Sequence, residues 1–421
     1  MRGGRCIHTR ARRARAQTLS AAAAVLSNLF ESQDPCSAGA GGMLALQPVA
    51  SLLTAALWTS TPHVQSPHCD PGFAGDDCAT LALSPTGASR SIHGLLPAGV
   101  HVDNTTVSTV WGGHSAQDST GRWHWYGSVI LGGQSLAHWT DASAAGHAVG
   151  NSPAGPFTLS EIPLRPHGNS SWDGGSIHGV YLIRNPAPWR NQTDRWLLFY
   201  TGMPKANPLG HRKIGVAYSA SLDGPWTKWG PVLSANSDAG AVDSSSVSNA
   251  APAFARDGSG RILLAYKGLG KAQPSKPACT DGSGKACISV AEAAHWTGPY
   301  RHTTADARMK FEGEDPTLWQ SASGMWHMVF EHYTNDRSRS GAHAWSRDGL
   351  SAWKVADNRT WVSTTTILDA GGQSTVLQKR ERYQVTFDDD GHPAFLWNGA
   401  MLDGQCFNIV QPFRLPGALE A

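Results

Sequence analysis

Charged side chains are scarce in this chain. Only 16% of its 421 residues are Asp, Glu, Lys or Arg, and 34 basic against 32 acidic side chains leave a net charge of +2 with His neutral. No basic surface argues for nucleic acid, and no acidic surface for a cationic partner. Long apolar runs are also missing. The nearest, Met43 to Trp58, is too short and interrupted for a confident membrane span. No helical periodicity of any length competes after residue 95. A nucleophile elbow, a phosphate loop and a dinucleotide fingerprint are all absent. The 18 histidines show no metal-ligand spacing. Asp388-Asp-Asp-Gly lacks the other ligands of a calcium loop and reads as a turn. Neither a cofactor nor a metal is expected.

What is present is repetition. A turn opening onto an aromatic strand occurs at Asp118–Tyr126, Asp194–Tyr200, Asp257–Tyr266 and Gly324–Phe330, with a looser copy at Asp390–Trp397. A turn followed by alternating apolar residues is a hairpin signature. A second motif ends in Gly-Pro-aromatic at Phe157, Trp226 and Tyr300, at intervals of 69 and 74 residues, with a degenerate copy at Ala344–Trp353. That period exceeds a WD-type repeat and fits a four-stranded blade with generous loops. A third register, Asp-x-x-Ser/Thr-Ile/Val, begins at Asp103, Asp173 and Asp243. Asp103 to Tyr126 and Asp243 to Tyr266 both span 23 residues, which predicts that blades 1 and 3 are equivalents. Five inner strands across residues 100–400 predict an all-β, five-bladed β-propeller over 95–415.

The rest of the chain speaks to compartment. Residues 1–60 read as a signal or targeting leader: an Arg-rich start, an Ala run, then the apolar stretch from Met43, itself a candidate start of translation. No stable membrane insertion is expected beyond this leader, for which an organelle transit peptide and an uncleaved anchor are the alternatives to a signal peptide. Seven Cys include Cys279 and Cys287, which flank a Gly-rich tip that a disulfide could close. Four N-x-S/T sequons lie at Asn104, Asn169, Asn191 and Asn358. Together these favour a secretory, extracellular route. The segment CDPGFAGDDC at 69–78 resembles the last loop of an epidermal-growth-factor module. That resemblance implies a Cys69–Cys78 pair and makes 61–80 a partial module.

Chemistry concentrates in Phe311–Trp319. Glu314 and Asp315 open an inner strand, and Asp315 is aligned with Ala251 and Trp111 of other blades, which are neutral. Inner strands line a propeller's axis, so these carboxylates are expected to face a funnel. Glu381 and Arg382 form the next pair, suited to holding a sugar hydroxyl and a carboxylate. His178 and His343 are further candidates to bond sugar hydroxyls, against the commoner role of a lone His as a satisfied polar core residue. Of the 17 Trp, most are expected to fill the core and a few to offer indole faces to sugar rings.

On Trp111-Gly-Gly, Asp257-Gly-Ser-Gly, Glu314-Asp-Pro-Thr-Leu-Trp, His343-Ala-Trp-Ser-Arg-Asp-Gly and Arg380–Phe387, residues 100–400 resemble the five-bladed glycoside hydrolases, glycoside hydrolase family 43 above all. The resemblance implies a carbohydrate substrate and a general acid at Glu314. It also implies a blade 3 Asp that tunes the acid, with Asp243 or Glu381 as candidates, and a blade 1 base, with Asp103 as candidate. Trp111, Asp315, Arg382, His343 and His178 would bind substrate. The family's usual base position here falls near Trp111-Gly-Gly, which carries no acid. Two rivals stand beside a hydrolase: a non-catalytic carbohydrate-binding propeller, and a phosphorylase or transferase on the same scaffold, for which only Arg382 and Lys267 hint at a phosphate pocket.

Overall fold

The computed structural model describes residues 69–74, 78, 80–84, 100–188, 193–270, 286–302, 312–332, 340–356, 366–368 and 374–414. The leader at 1–60, Cys279, Asn191 and Asn358 lie outside them. Among the described residues no helix is long and apolar enough to cross a membrane.

The first strands among the described residues form a small hairpin, β1 (Phe73–Ala74) and β2 (Thr80–Leu81). Five antiparallel sheets follow. The first holds β3 (Val100–Val102), β4 (Thr105–Gln117), β5 (Trp123–Leu131), β6 (Ser143–Gly150) and β7 (Phe157–Leu164). The second holds β8 (Ser176–Arg184), β9 (Trp196–Met203), β10 (Lys213–Ser219) and β11 (Thr227–Leu233). The third holds β12 (Ser246–Phe254), β13 (Ile262–Leu269), β14 (Cys287–Ala293) and β15 (Arg301–His302). The fourth holds β16 (Gly313–Gln320), β17 (Trp326–His332), β18 (Ser340–Ser346) and β19 (Lys354–Val355). A two-stranded piece, β20 (Thr366–Leu368) and β21 (Ser374–Val376), precedes the fifth sheet, β22 (Lys379–Phe387), β23 (Pro393–Leu402) and β24 (Gln405–Pro412).

The first long strand of each sheet packs against its counterpart in the next, and β22 returns to β4. The five sheets are therefore the blades of a closed five-bladed propeller, with β4, β8, β12, β16 and β22 innermost. The aromatic repeat read from the sequence marks the second strand of each blade (β5, β9, β13, β17, β23), one strand outward from the axis. These strands carry the bulk of the core: Trp125, Tyr126, Tyr200, Tyr266, Trp326 and Trp397 are all buried. One apolar cluster runs from Tyr181 and Phe199 of blade 2, through blade 3, to Trp326 and Phe330 of blade 4. Each large apolar side chain buried in such a seam stabilises the fold by roughly 1.5–3 kcal/mol. The Gly-Pro-aromatic motif joins the third and fourth strands of blades 1, 2 and 3, and all three Gly-Pro bonds are cis.

Asp118, Asp257 and Asp388 nucleate the turns ahead of the second strands of blades 1, 3 and 5. Each turns its carboxylate back onto backbone N–H groups two or four residues on: Thr120 and Arg122 at 2.8 and 3.0 Å, Ser259 at 3.0 Å, His392 at 2.7 Å.

The ring is closed by an early segment. Residues 82–84 run along the end of β24, with Ser84 N–H to Pro412 O at 2.8 Å and Arg414 N–H to Ala82 O at 2.7 Å, and thereby edge blade 5. Cys69 and Cys78 form a disulfide. The hairpin they close docks on blade 4: the Phe73 ring stacks on His327 and His343 at 4.3 and 4.5 Å, and Asp70 meets His327 Nε2 at 3.0 Å. Segment 69–84 is thus an integrated part of the propeller, and its resemblance to a growth-factor module goes no further than the Cys69–Cys78 loop. Cys287 is also disulfide-bonded.

Candidate active site at the propeller axis

All five inner strands share a β-bulge at the same height, and β4 and β22 each have a second irregularity elsewhere. The pairing with the second strand slips between Trp111 and His114, His178 and Tyr181, Ser248 and Ala251, Glu314 and Thr317, and Glu381 and Gln384. The first residue of each bulge is left-handed: Gly112 (φ 70°), Gly179 (φ 61°), Asn249 (φ 55°), Asp315 (φ 52°) and Arg382 (φ 61°). This register places Asp315 with Asn249 and Gly112, and Glu314 with Ser248 and Trp111. The sequence alignment of Asp315 with Ala251 and Trp111 is therefore corrected, since the bulge adds a residue that a linear comparison cannot see.

Non-glycine residues at positive φ are held by what surrounds them. Asp315 accepts from Asn249 Nδ2 at 2.5 Å, from an Arg382 guanidinium nitrogen at 2.6 Å and from the Arg382 N–H at 3.1 Å. The Arg382 side chain crosses the axis over the two glycines. A Cβ on Gly112 would stand 2.8 Å from Arg382 Cβ, and one on Gly179 would stand 3.6 Å from its guanidinium. Each second strand also serves the bulge of the next blade. Ser128 Oγ accepts the Gly179 N–H at 3.0 Å and Thr201 Oγ1 the Asn249 N–H at 2.9 Å. Lys267 pairs with Glu314. Glu331, directly opposite Glu314 in register, adds negative charge beside Arg382.

Four carboxyl groups, Glu314, Asp315, Glu331 and Glu381, thus gather with two cations, Lys267 and Arg382, where the inner strands of blades 4 and 5 begin. The nearest carboxylate oxygens of Asp315, Glu331 and Glu381 lie within 4.8 Å of one another. Glu314 is the more open member of its pair, with 12% of its side chain exposed against 2% for Asp315. Burial raises the Asp315 carboxyl, Arg382 opposes this, and Glu314 and Glu381 add to the rise; the result is pushed up to about 7. The same carboxylates outweigh burial at Arg382 and raise its guanidinium further.

The other sequence candidates fall elsewhere. Asp103 sits in the exposed β3–β4 turn on the outer part of blade 1, where its carboxylate accepts the Ile162 N–H at 2.7 Å and faces Arg165. Asp243 is buried and accepts from Tyr266 at 2.5 Å and His302 at 2.7 Å. Burial raises its carboxyl, but those bonds prevail and hold it below the ordinary value. Asp173 repeats the arrangement with Tyr200 and Lys228. The blade equivalence expected between 1 and 3 therefore holds between 2 and 3, and Tyr126 donates instead to Leu222 O. His178 shares the height of Glu314, is buried against Ser143 Oγ at 2.8 Å, and is driven well down by that burial. Trp111 is buried against Gly399, which removes its indole as an open platform. His343 lies out in blade 4 beneath Phe73. Glu331 and Asn249 were not singled out in the sequence, and Lys267 only as a hint of a phosphate pocket; their register opposite or beside the acids is what marks them here.

Below the bulges the axis is filled by polar side chains. His114 meets Gln384 at 3.0 Å and Tyr181 meets Thr317 at 2.5 Å. Beneath this layer a cavity of about 1110 Å³ opens at the other end, where the inner strands finish, past Phe254, Trp319 and Phe387. The clustered carboxylates lie across the layer from it and do not line it.

No family model matches the chain, and neither does any curated protein. Solved structures do. A family 117 glycoside hydrolase produced by the marine bacterium Zobellia galactanivorans aligns with a TM-score of 0.51 at 14% identity, covering 76% of this chain and 88% of that one. A thermostable family-43 glycoside hydrolase aligns with a TM-score of 0.50 at 14% identity, covering 77% and 93%. The α-L-arabinofuranosidase of Podospora anserina, solved with cellotriose, aligns with a TM-score of 0.50 at 10% identity, covering 75% and 94%. The fold is that of the five-bladed propeller glycoside hydrolases.

Proposed function

We propose that this protein is a secreted glycoside hydrolase that works at the axial carboxylate cluster. The observation that carries this reading is the convergence of Glu314, Asp315, Glu331 and Glu381 with Arg382 and Lys267 at the mouth of the inner strands. Cleavage of a glycosidic bond needs a carboxyl that protonates the leaving oxygen and a second carboxylate across the sugar. Glu314 takes the first role, being the more exposed acid. Glu381, at the same register position one blade on, takes the second. Asp315 and Arg382 lie beneath as a fixed charged floor that sets the field around both. Asp103 and Asp243 have carboxylates committed to blade structure and take a structural role. The Cys69–Cys78 disulfide and the exposed sequons at Asn104 and Asn169 support a secretory route.

A second reading, a propeller that binds sugar without cleaving it, is favoured by one feature. At the heights of Glu314 and Asp315, blades 1, 2 and 3 offer Trp111 and Gly112, His178 and Gly179, and Ser248 and Asn249. Among the described residues, the acids at these heights lie to one side of the axis.

The test is hydrolysis of aryl glycosides and binding on a glycan array by the secreted protein, beside Glu314→Gln. Hydrolysis that disappears in the variant while binding survives supports the enzyme and its acid. Binding with no hydrolysis in either protein turns the reading to the sugar-binding propeller. Undiminished hydrolysis in the variant removes Glu314 from the chemistry.

A further inference from the structure

On the outer part of blade 1, away from the axis, two histidines face one another. His124 of β5 and His147 of β6 are buried, and His124 Nδ1 stands 2.9 Å from His147 Nε2. The far nitrogen of each ring meets a carboxylate: His124 Nε2 with Asp118 at 3.1 Å, and His147 Nδ1 with Glu161 at 2.8 Å. A third acid, Asp223, reaches in from the β10–β11 turn of blade 2, with Oδ1 3.9 Å from His124 Nδ1. One nitrogen from each His and one Asp223 oxygen lie within 4.8 Å of one another.

From this geometry we propose that His124, His147 and Asp223 form a binding site for a divalent transition metal of the zinc type, bridging blades 1 and 2. Three features of the chemistry agree. Two imidazoles and a carboxylate suit zinc, with a fourth, tetrahedral position left for water. A carboxylate on the outer nitrogen of each imidazole fixes the tautomer that turns a lone pair inward, which is how metal-bound histidines are usually supported. Asp118, Glu161 and Asp223 against Arg122, which pairs with Asp118 and Asp223, leave two negative charges for a divalent cation to neutralise. Binding asks for a short swing of the exposed Asp223 side chain and a small parting of the two rings.

Blade 4 supplies an internal comparison. His327 and His343 repeat the pair at 3.1 Å, with Asp70 on the outer nitrogen of His327. There the Phe73 ring covers both imidazoles, and among the described residues no third ligand completes a metal set. The same cross-strand His pair therefore exists once as packing and once with a ligand set built around it.

The experiment is calorimetric titration of the chelator-stripped, full-length protein with Zn²⁺, repeated with Co²⁺ and followed by visible absorption. The wild type should take one equivalent, raise its melting temperature on binding, and give the absorption of cobalt held by nitrogen in a tetrahedral site. Asp223→Asn, an exposed change that leaves the core intact, and His147→Ala should each lower affinity at least about 10-fold, and Glu161→Gln by about 10- to 100-fold. His343→Ala and Glu331→Gln should leave the titration unchanged. The proposal is overturned if the wild type binds no Zn²⁺, or if Asp223→Asn and Glu161→Gln bind as well as wild type. It is also overturned if Glu331→Gln abolishes binding, which would place the ion at the axis.

Discussion

Arg382 and Asp315 occupy the same left-handed bulge position on adjacent inner strands, and a guanidinium nitrogen of one meets the carboxylate of the other at 2.6 Å. The pair is enclosed at the axis, where Asn249 also donates to Asp315 and Glu314, Glu331 and Glu381 also face Arg382. Removing one member of a buried pair leaves the other charge without compensation, at about 3–5 kcal/mol. Arg382→Ala should therefore lower the urea midpoint by that equivalent, while Arg382→Lys should lower it less. Equal midpoints for wild type and Arg382→Ala would show that the pair contributes nothing.

Asp315 makes stability depend on pH in an unusual direction. Its folded value, about 7, lies above the ordinary 3.8, so the folded chain holds this proton more tightly than the unfolded one. The stability it contributes is complete below about pH 4 and is lost as pH rises to about 7. Unfolding free energies from pH 4 to 8 should fall more steeply for wild type than for Asp315→Asn. Parallel curves would refute this.

Two glycines separate conformation from space. Gly112 and Gly168 both have positive φ, 70° and 75°, but a Cβ at 168 meets nothing within 4 Å while one at 112 meets Arg382. Gly168→Ala should be destabilised by about 1–2 kcal/mol from its backbone alone. Gly112→Ala should lose about 1–3 kcal/mol more from crowding. Thermal unfolding of the two variants side by side reads the difference.

Acid should release the docked hairpin before it unfolds the blades. The hydrogen bond from His327 holds the Asp70 carboxyl down at about 2 despite partial burial, so this contact stabilises above about pH 4 and fades as pH falls toward 2. Burial also lowers His327, and protonating that ring opposes the docked state from about pH 6.5 downward. Limited proteolysis near residue 75 should accelerate between pH 5 and 2, earlier in Asp70→Asn. Cys69→Ser with Cys78→Ser should lower stability by about 2–3 kcal/mol.

The propeller was legible because its second strands repeat. Aromatic strands after Asp or Gly turns recur once per blade, and alternation with burial on both faces writes them as apolar runs. The acids of Glu314–Asp315 and Glu381–Arg382 were legible by their place at strand starts. The five bulges were not, because a bulge adds one residue without changing residue type, and Gly, Asn, Asp and Arg share no composition. Asp103 matched Asp243 by a short Asp-x-x-Ser/Thr-Ile/Val pattern and an equal spacing of 23 residues to a Tyr, and an extra hairpin, β3–β4, accounts for that match. His124, His147 and Asp223 span about a hundred residues and two blades, so no local spacing joins them.

The strip at 82–84 that edges blade 5 has a consequence for synthesis. Ser84 and Gln411, whose backbone carbonyl and side-chain amide meet at 2.7 Å, are 327 positions apart. A ribosome delivers the first of them early and the second near the end of the described chain. Blades 1 to 4 can assemble as they emerge, but residues 82–84 wait for a fifth blade made long after them. Until it arrives, the unpaired edge of residues 82–84 and the apolar face of Phe73 stay available to any other strand, and the nascent protein is most open to mispairing then.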